Sequence, residues 1–316
     1  MASTQPPVRE RATSQRRPDR NSALQTREFE ERRVAPERVR ALVRVEEALT
    51  GRLGHRPRLY GTLIVIGAFV SAIVLGTLLG RIVATAVGLD DLRGTMGGLG
   101  TELVGVAFAA GLLSRLGWWR EVGFGGPSTW RSLRLLIFPA LLAVVALVGG
   151  LVSLDLSDPA RLALRLPGPF LTGFFEEGLA RGILLSLLLV AALRGGRGPI
   201  GAVVISAVVF GLMHVVGVIL GKELLPALVQ VLTATLFGIG FGALLLRTNA
   251  LWLLAGVHAL GNLPSELQGE NDVEALTIIF LLSELLLAVY GLFLLRRVKS
   301  GDQAAVVGTD EVEPLE

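Results

Sequence analysis

From Tyr60 onward the hydrophobic positions merge into apolar runs of about 20 residues, parted by short loops that carry Arg, Asp, Glu, Gly and Pro. At about 1.5 Å of rise per residue, each run covers a hydrocarbon core of roughly 30 Å as an α-helix. Strict two-residue alternation, the mark of a membrane-spanning β-strand, is missing. The runs predict helices over residues 61–80, 97–114, 134–153, 170–193, 199–220, 225–246, 250–263 and 274–295. The expected fold class is all-α, a polytopic membrane helical bundle of about eight transmembrane helices. The run 250–263 is short and interrupted by Gly256 and Gly261, which suits a helix packed among others rather than one facing lipid.

Both ends of the chain break this pattern. Residues 1–58 are rich in Arg, Ser, Thr, Gln and Pro and hold too little apolar surface to fold alone, so they are expected to form a disordered basic tail. No apolar signal-peptide core opens the chain, and Glu28, Glu30 and Glu31 fit a transit peptide poorly. Within the tail, Val39, Leu42, Val43 and Leu49 fall near helical spacing against Arg38, Arg40 and Arg44. Residues 36–53 therefore read as a juxtamembrane helix on anionic lipid or, the preferred alternative, as a solvated topogenic segment. Residues 298–316 are polar and acidic and are expected to be a second disordered tail, leaving 59–297 as the membrane domain.

Composition narrows the chemistry. The 316 residues are 52% hydrophobic and 18% charged, with a mean hydropathy of +0.62. Zero Cys excludes a disulfide framework, a thiolate nucleophile and a Cys-ligated metal. A net charge of +3 makes nucleic acid an unexpected partner, so any basic patch must come from placement. An even number of spans puts both termini on one side. Setting the Arg-rich tail in the cytoplasm gathers Arg115, Arg120, Arg131, Arg134, Arg194, Arg197, Arg247, Arg296, Arg297 and Lys299 there. Most loop acids, including Asp90, Asp91, Asp155, Asp158, Glu223, Glu266, Glu270 and Asp272, fall on the opposite side, so both termini are expected to be cytoplasmic. Trp118, Trp119, Phe124 and Trp130 surround a Gly125-Gly126-Pro127 turn and read as an aromatic interface belt. The Arg-, Ala-, Gly-, Leu- and Val-heavy composition resembles that of a high-GC bacterium, which points to its cell membrane.

Against this apolar background, Phe174-Phe175-Glu176-Glu177-Gly178-Leu179-Ala180-Arg181 stands out. Each acid or Arg near mid-bilayer costs roughly 2.5 to 3.5 kcal/mol on insertion scales, so such residues face a protein interior or a wet cavity and usually serve function. Counted from the non-cytoplasmic ends of their helices, Glu176, His214 and His258 all lie roughly 10 Å deep. Asn262 sits one turn above His258, Gln230 enters with its own span, and Glu284 reaches similar depth, which suggests one wet polar chamber. Residues four apart share a helix face, so Glu177 pairs with Arg181, Phe210 lies with His214, and His258 lies with Asn262. Glu176, about 100° round the helix from Glu177, is left to face the chamber.

These residues carry a resemblance. Glu176-Glu177-Gly178-Leu179-Ala180-Arg181 is similar to the EExxxR motif, Phe210-Gly211-Leu212-Met213-His214 to FxxxH, and His258-Ala259-Leu260-Gly261-Asn262 to HxxxN of the CPBP family. That family unites Rce1-type CAAX prenyl endopeptidases with bacterial Abi, or bacteriocin-processing and immunity, proteins. The three motifs stand in order on successive apolar helices, the resemblance covers about residues 60–296, and no motif position departs from the pattern.

The resemblance implies an intramembrane endopeptidase acting on a membrane-associated peptide or protein within the lipid bilayer. Glu176 with His214 would hold and deprotonate water. His258 and Asn262 would donate to the oxyanion of the tetrahedral intermediate, with Glu177, Arg181 and Phe210 in support. A carboxylate so placed needs a nearby cation, Arg181 or an imidazolium, to stay ionised. Glu176, His214 and His258 could instead supply three ligands to zinc, but there is no HExxH pair and Asn262 is a poor zinc ligand, so a mechanism without cofactor is preferred. A non-catalytic immunity or membrane binding protein on the same fold is the alternative. A proton- or ion-coupled transporter stands further off, because the cytoplasmic halves of the helices are almost wholly apolar. A prenylated CAAX tail would be presented on the cytoplasmic face, whereas the charge distribution puts the chamber nearer the other surface, so a membrane-anchored or exported peptide is the expected substrate.

Overall fold

The computed structural model describes residues 57–127, 130–194, 198–267 and 273–296, and every described element is helical or a turn apart from one isolated bridge residue. The expected tails, including the juxtamembrane helix at 36–53, lie outside the described residues. The order is α1 (Pro57–Ala86), α2 (Arg93–Leu116), α3 (Ile137–Val152), α4 (Pro159–Arg165) and α5 (Gly168–Glu177). A π-helical segment (Gly178–Leu184) then leads without a break into α6 (Leu185–Arg194). After it come α7 (Pro199–Met213), the single turn α8 (Val216–Ile219), α9 (Leu224–Thr248), α10 (Leu251–Leu267) and α11 (Val273–Arg296).

All eight expected spans fall on helices, and the chain is an integral membrane protein. Among the described residues five stretches are long and apolar enough to cross a membrane: Leu59–Ala86, Asp90–Leu116, Trp130–Val152, Pro199–Ile219 and Leu224–Thr248. Two of the other three differ for physical reasons. The run α5 to α6 holds Glu176, Glu177 and Arg181, and α10 has only 17 residues. Both are enclosed by other helices, so neither needs a lipid-compatible surface. All seven residues of the π segment are buried, and it packs against α1, α2, α7, α9 and α10. By contrast α3 turns Ile137, Leu141, Val145, Val148 and Val152 outward, as a lipid-facing helix should.

Two elements depart from the expected boundaries. The loop after the third span contains α4, started by Asp158, whose carboxylate accepts the Arg161 backbone N–H at 2.9 Å, and by Pro159 in the first turn. That N–H holds the Asp158 carboxyl below the usual carboxylate range. The helix expected to end at 263 instead runs through Pro264 to Leu267. Pro264 is buried against Gly150 of α3, where a Cβ would approach its Cα to 2.7 Å, and the Leu267 carbonyl accepts the Asp155 N–H at 2.9 Å. Tertiary packing thus overrides the breaker. The aromatic belt is also only partly at the surface: Trp118 is buried, Trp119 stacks on Phe174 of α5 at 6.0 Å, and Phe124 meets the same ring at a tilt at 5.3 Å. Trp130, 78% exposed, stands outside.

Candidate active site

The site forms where α5, α7 and α10 converge. Gly173 lets α5 meet α10 closely, since a Cβ there would lie 2.5 Å from the Ala255 carbonyl oxygen. One turn further along α5, Glu176 enters a space between two imidazoles. Its Oε1 is 3.8 Å from His214 Nε2, and its Oε2 is 3.9 Å from His258 Nε2. These separations exceed a direct hydrogen bond and suit bridging by water. The Glu176 side chain keeps 13% of its exposure while that of Glu177 keeps none, so the two neighbouring acids face different surroundings.

Each imidazole is fixed through its other nitrogen. At the end of α7 the His214 backbone N–H bonds to the Gly211 carbonyl, three residues back. The Phe210 carbonyl accepts from His214 Nδ1 at 3.0 Å. A carbonyl only accepts, so Nδ1 carries the proton and Nε2 is the atom turned to Glu176. The ring also meets Phe210 edge-on at 5.0 Å and Phe69 at 5.7 Å. On α10, His258 Nδ1 donates to Glu177 Oε1 at 2.9 Å, which again leaves Nε2 for Glu176.

Behind this lies a buried ion pair. Arg181 Nη1 approaches the same Glu177 oxygen to 3.2 Å, with both side chains almost fully enclosed. The guanidinium lies over the Phe210 ring at 4.2 Å and the Phe237 ring at 5.1 Å, and Phe237 also packs 4.6 Å from His258. Aromatic faces solvate the cation where water cannot, which contributes about 2 kcal/mol at desolvated sites. The buried Glu284 carboxylate of α11 interacts electrostatically with Arg181.

The structure thus joins Glu176, Glu177, Arg181, Phe210, His214 and His258. Asn262 is partly buried one turn beyond His258, and its side-chain amide makes no hydrogen bond among the described residues. Gln230 turns instead to the surface, where its Oε1 accepts from Lys222 Nζ at 2.8 Å. Glu177 does more than the expected pairing, because it also holds His258. Sequence reasoning missed Phe69 and Phe237, which look like any apolar residue of a span, and Glu102, a lone acid in the second span that offered a signal. Glu102 on α2 accepts from Thr172 Oγ1 of α5 at 3.3 Å. As for zinc, among the described residues no group of three or more His, Cys, Asp or Glu side chains is arranged to hold a metal ion. Each of the two site histidines gives its Nδ1–H to a protein acceptor and leaves Nε2 facing Glu176.

Residues 159–264 match the family model described as type II CAAX prenyl endopeptidase Rce1-like. This segment resembles the Rce1-like family. It runs from α4 to Pro264 in α10, about a third of the chain, and contains all three motifs. Glu102, Phe69 and Glu284 lie outside the Rce1-like segment. No curated protein and no solved structure matches the chain.

Proposed function

We propose that the protein is an intramembrane endopeptidase that hydrolyses a peptide bond of a membrane-associated peptide or protein with Glu176 as general base. The reading rests on the Rce1-like match and on one observation: a partly accessible carboxylate with an imidazole Nε2 on either side at 3.8 and 3.9 Å. Water held between Glu176 and His214 gives a proton to the carboxylate as its oxygen attacks the scissile carbonyl carbon. The oxyanion so formed accepts hydrogen bonds from His258 Nε2–H and the Asn262 amide. His258 can donate from Nε2 only as the imidazolium, because Nδ1 already gives its proton to the Glu177 carboxylate at 2.9 Å. The protonated Glu176 then passes its proton to the amide nitrogen, the C–N bond breaks, and an acid and an amine leave.

The proposed mechanism needs no metal. Stoichiometric zinc in active protein, with activity lost on chelation and regained on re-addition, would replace it. The loop charges support a site towards the non-cytoplasmic surface with both termini inside, and the composition supports a bacterial cell membrane, a setting that favours an anchored or exported peptide over a prenylated tail. Comparative peptidomics of wild-type and Glu176→Ala cells tests activity and finds the substrate together. The proposal expects a set of cleavage products that vanishes in the variant at equal expression, a loss of about 10⁴-fold in rate. Identical peptidomes would favour a non-catalytic binding or immunity role.

A further inference from the structure

Two features of α5, the helix that carries the proposed base, hold the Glu102 carboxylate in position. At Gly168 a Cβ would stand 2.8 and 2.9 Å from the two Glu102 oxygens, so a larger residue there would push this carboxylate aside. One turn on, Thr172 donates to its Oε1 at 3.3 Å. Gly168, Thr172 and Glu176 are spaced by four residues and share one face of α5, so Glu102 looks along the stripe that ends at the proposed base. It is near enough to Glu176 and Glu266 for mutual electrostatic repulsion.

The acids around it are matched with nitrogen bases. Glu266 pairs with Arg165 at 2.6 Å, Glu177 with Arg181 and His258, and Glu176 lies between two histidines. Glu102 has no Lys, Arg or His nitrogen within 4.0 Å among the described residues, and its partly buried carboxylate retains acceptor capacity. A carboxylate withdrawn from water without a cation either takes up a proton or receives a cation from outside. We infer that Glu102 is a specificity-determining residue, receiving a basic side chain of the substrate next to the scissile bond. This rests on the endopeptidase reading.

The test uses the full chain in lipid nanodiscs and fluorophore-labelled apolar decapeptides carrying one Lys, Gln or Glu beside the central bond. Wild-type protein is expected to favour the Lys over the Gln peptide about tenfold in kcat/KM, through KM. Glu102→Gln is expected to bring that ratio to about one, and Glu102→Lys to make the Glu peptide the better substrate. Binding of the same peptides to Glu176→Gln protein, read by fluorescence anisotropy, is expected to show the same Lys preference and its loss with Glu102→Gln. Cleavage without a Lys preference, or a Glu102→Gln defect equal for all three peptides, overturns the subsite and leaves the endopeptidase standing. Glu102-dependent Lys binding with no cleavage of any peptide sinks the endopeptidase and leaves a cation site.

Discussion

The end of α7 and the middle of α10 offer Glu176 the same atom at nearly the same distance, but they hold it differently. His214 is anchored to a neutral backbone carbonyl, His258 to a buried carboxylate. A carbonyl fixes the tautomer and adds no net charge, whereas a carboxylate fixes it with a full negative charge. In the proposed mechanism the two identical side chains take opposite tasks, one accepting from water and one donating to an oxyanion. The difference lies in their anchors.

The largest expected effect reaches the anchor itself. Arg181→Met leaves Glu177 enclosed with His258 as its remaining partner and should destabilise the protein by about 3–5 kcal/mol. Thermal unfolding in detergent would measure it, and an unchanged midpoint would mean that Glu177 does not need the guanidinium. Next comes the contrast between the histidines. Glu177→Gln keeps an acceptor for Nδ1 but removes the charge, so it should lower kcat about 10²–10³-fold, as loss of an oxyanion donor does. His258→Gln should cost about the same, and the double variant no more than either single one. Full activity in Glu177→Gln would make the two histidines equivalent. Smallest is Phe237→Leu, which removes one of the two rings facing Arg181 and should cost about 1 kcal/mol in stability.

Much of this arrangement was legible in the chain because the membrane makes polar residues conspicuous. The helices could be read because an apolar run of spanning length has few other interpretations. Glu176, His214 and His258 could be placed together because depth follows from residue count along a helix of fixed rise. What the chain did not disclose depended on contacts between helices. Nothing local tells that Pro264 stays helical against Gly150, that Trp118 is buried, or that Glu177 reaches His258, 81 residues away. Phe237 became visible as part of the site only once α9 was seen against α10 and the π segment.

That π segment sets a matter of phase. Between Gly178 and Leu184 the helix takes more residues to complete a turn than it does in α5 or α6. Winding the same seven residues at ordinary α pitch would keep the hydrogen-bond ladder but add about one residue's rotation. Everything from Gly168 to Glu177 would then swing by about 100° against α6. Glu176 would turn away from both imidazoles although Glu176, His214, His258 and Asn262 were all still present, the motif intact in spelling and broken in phase.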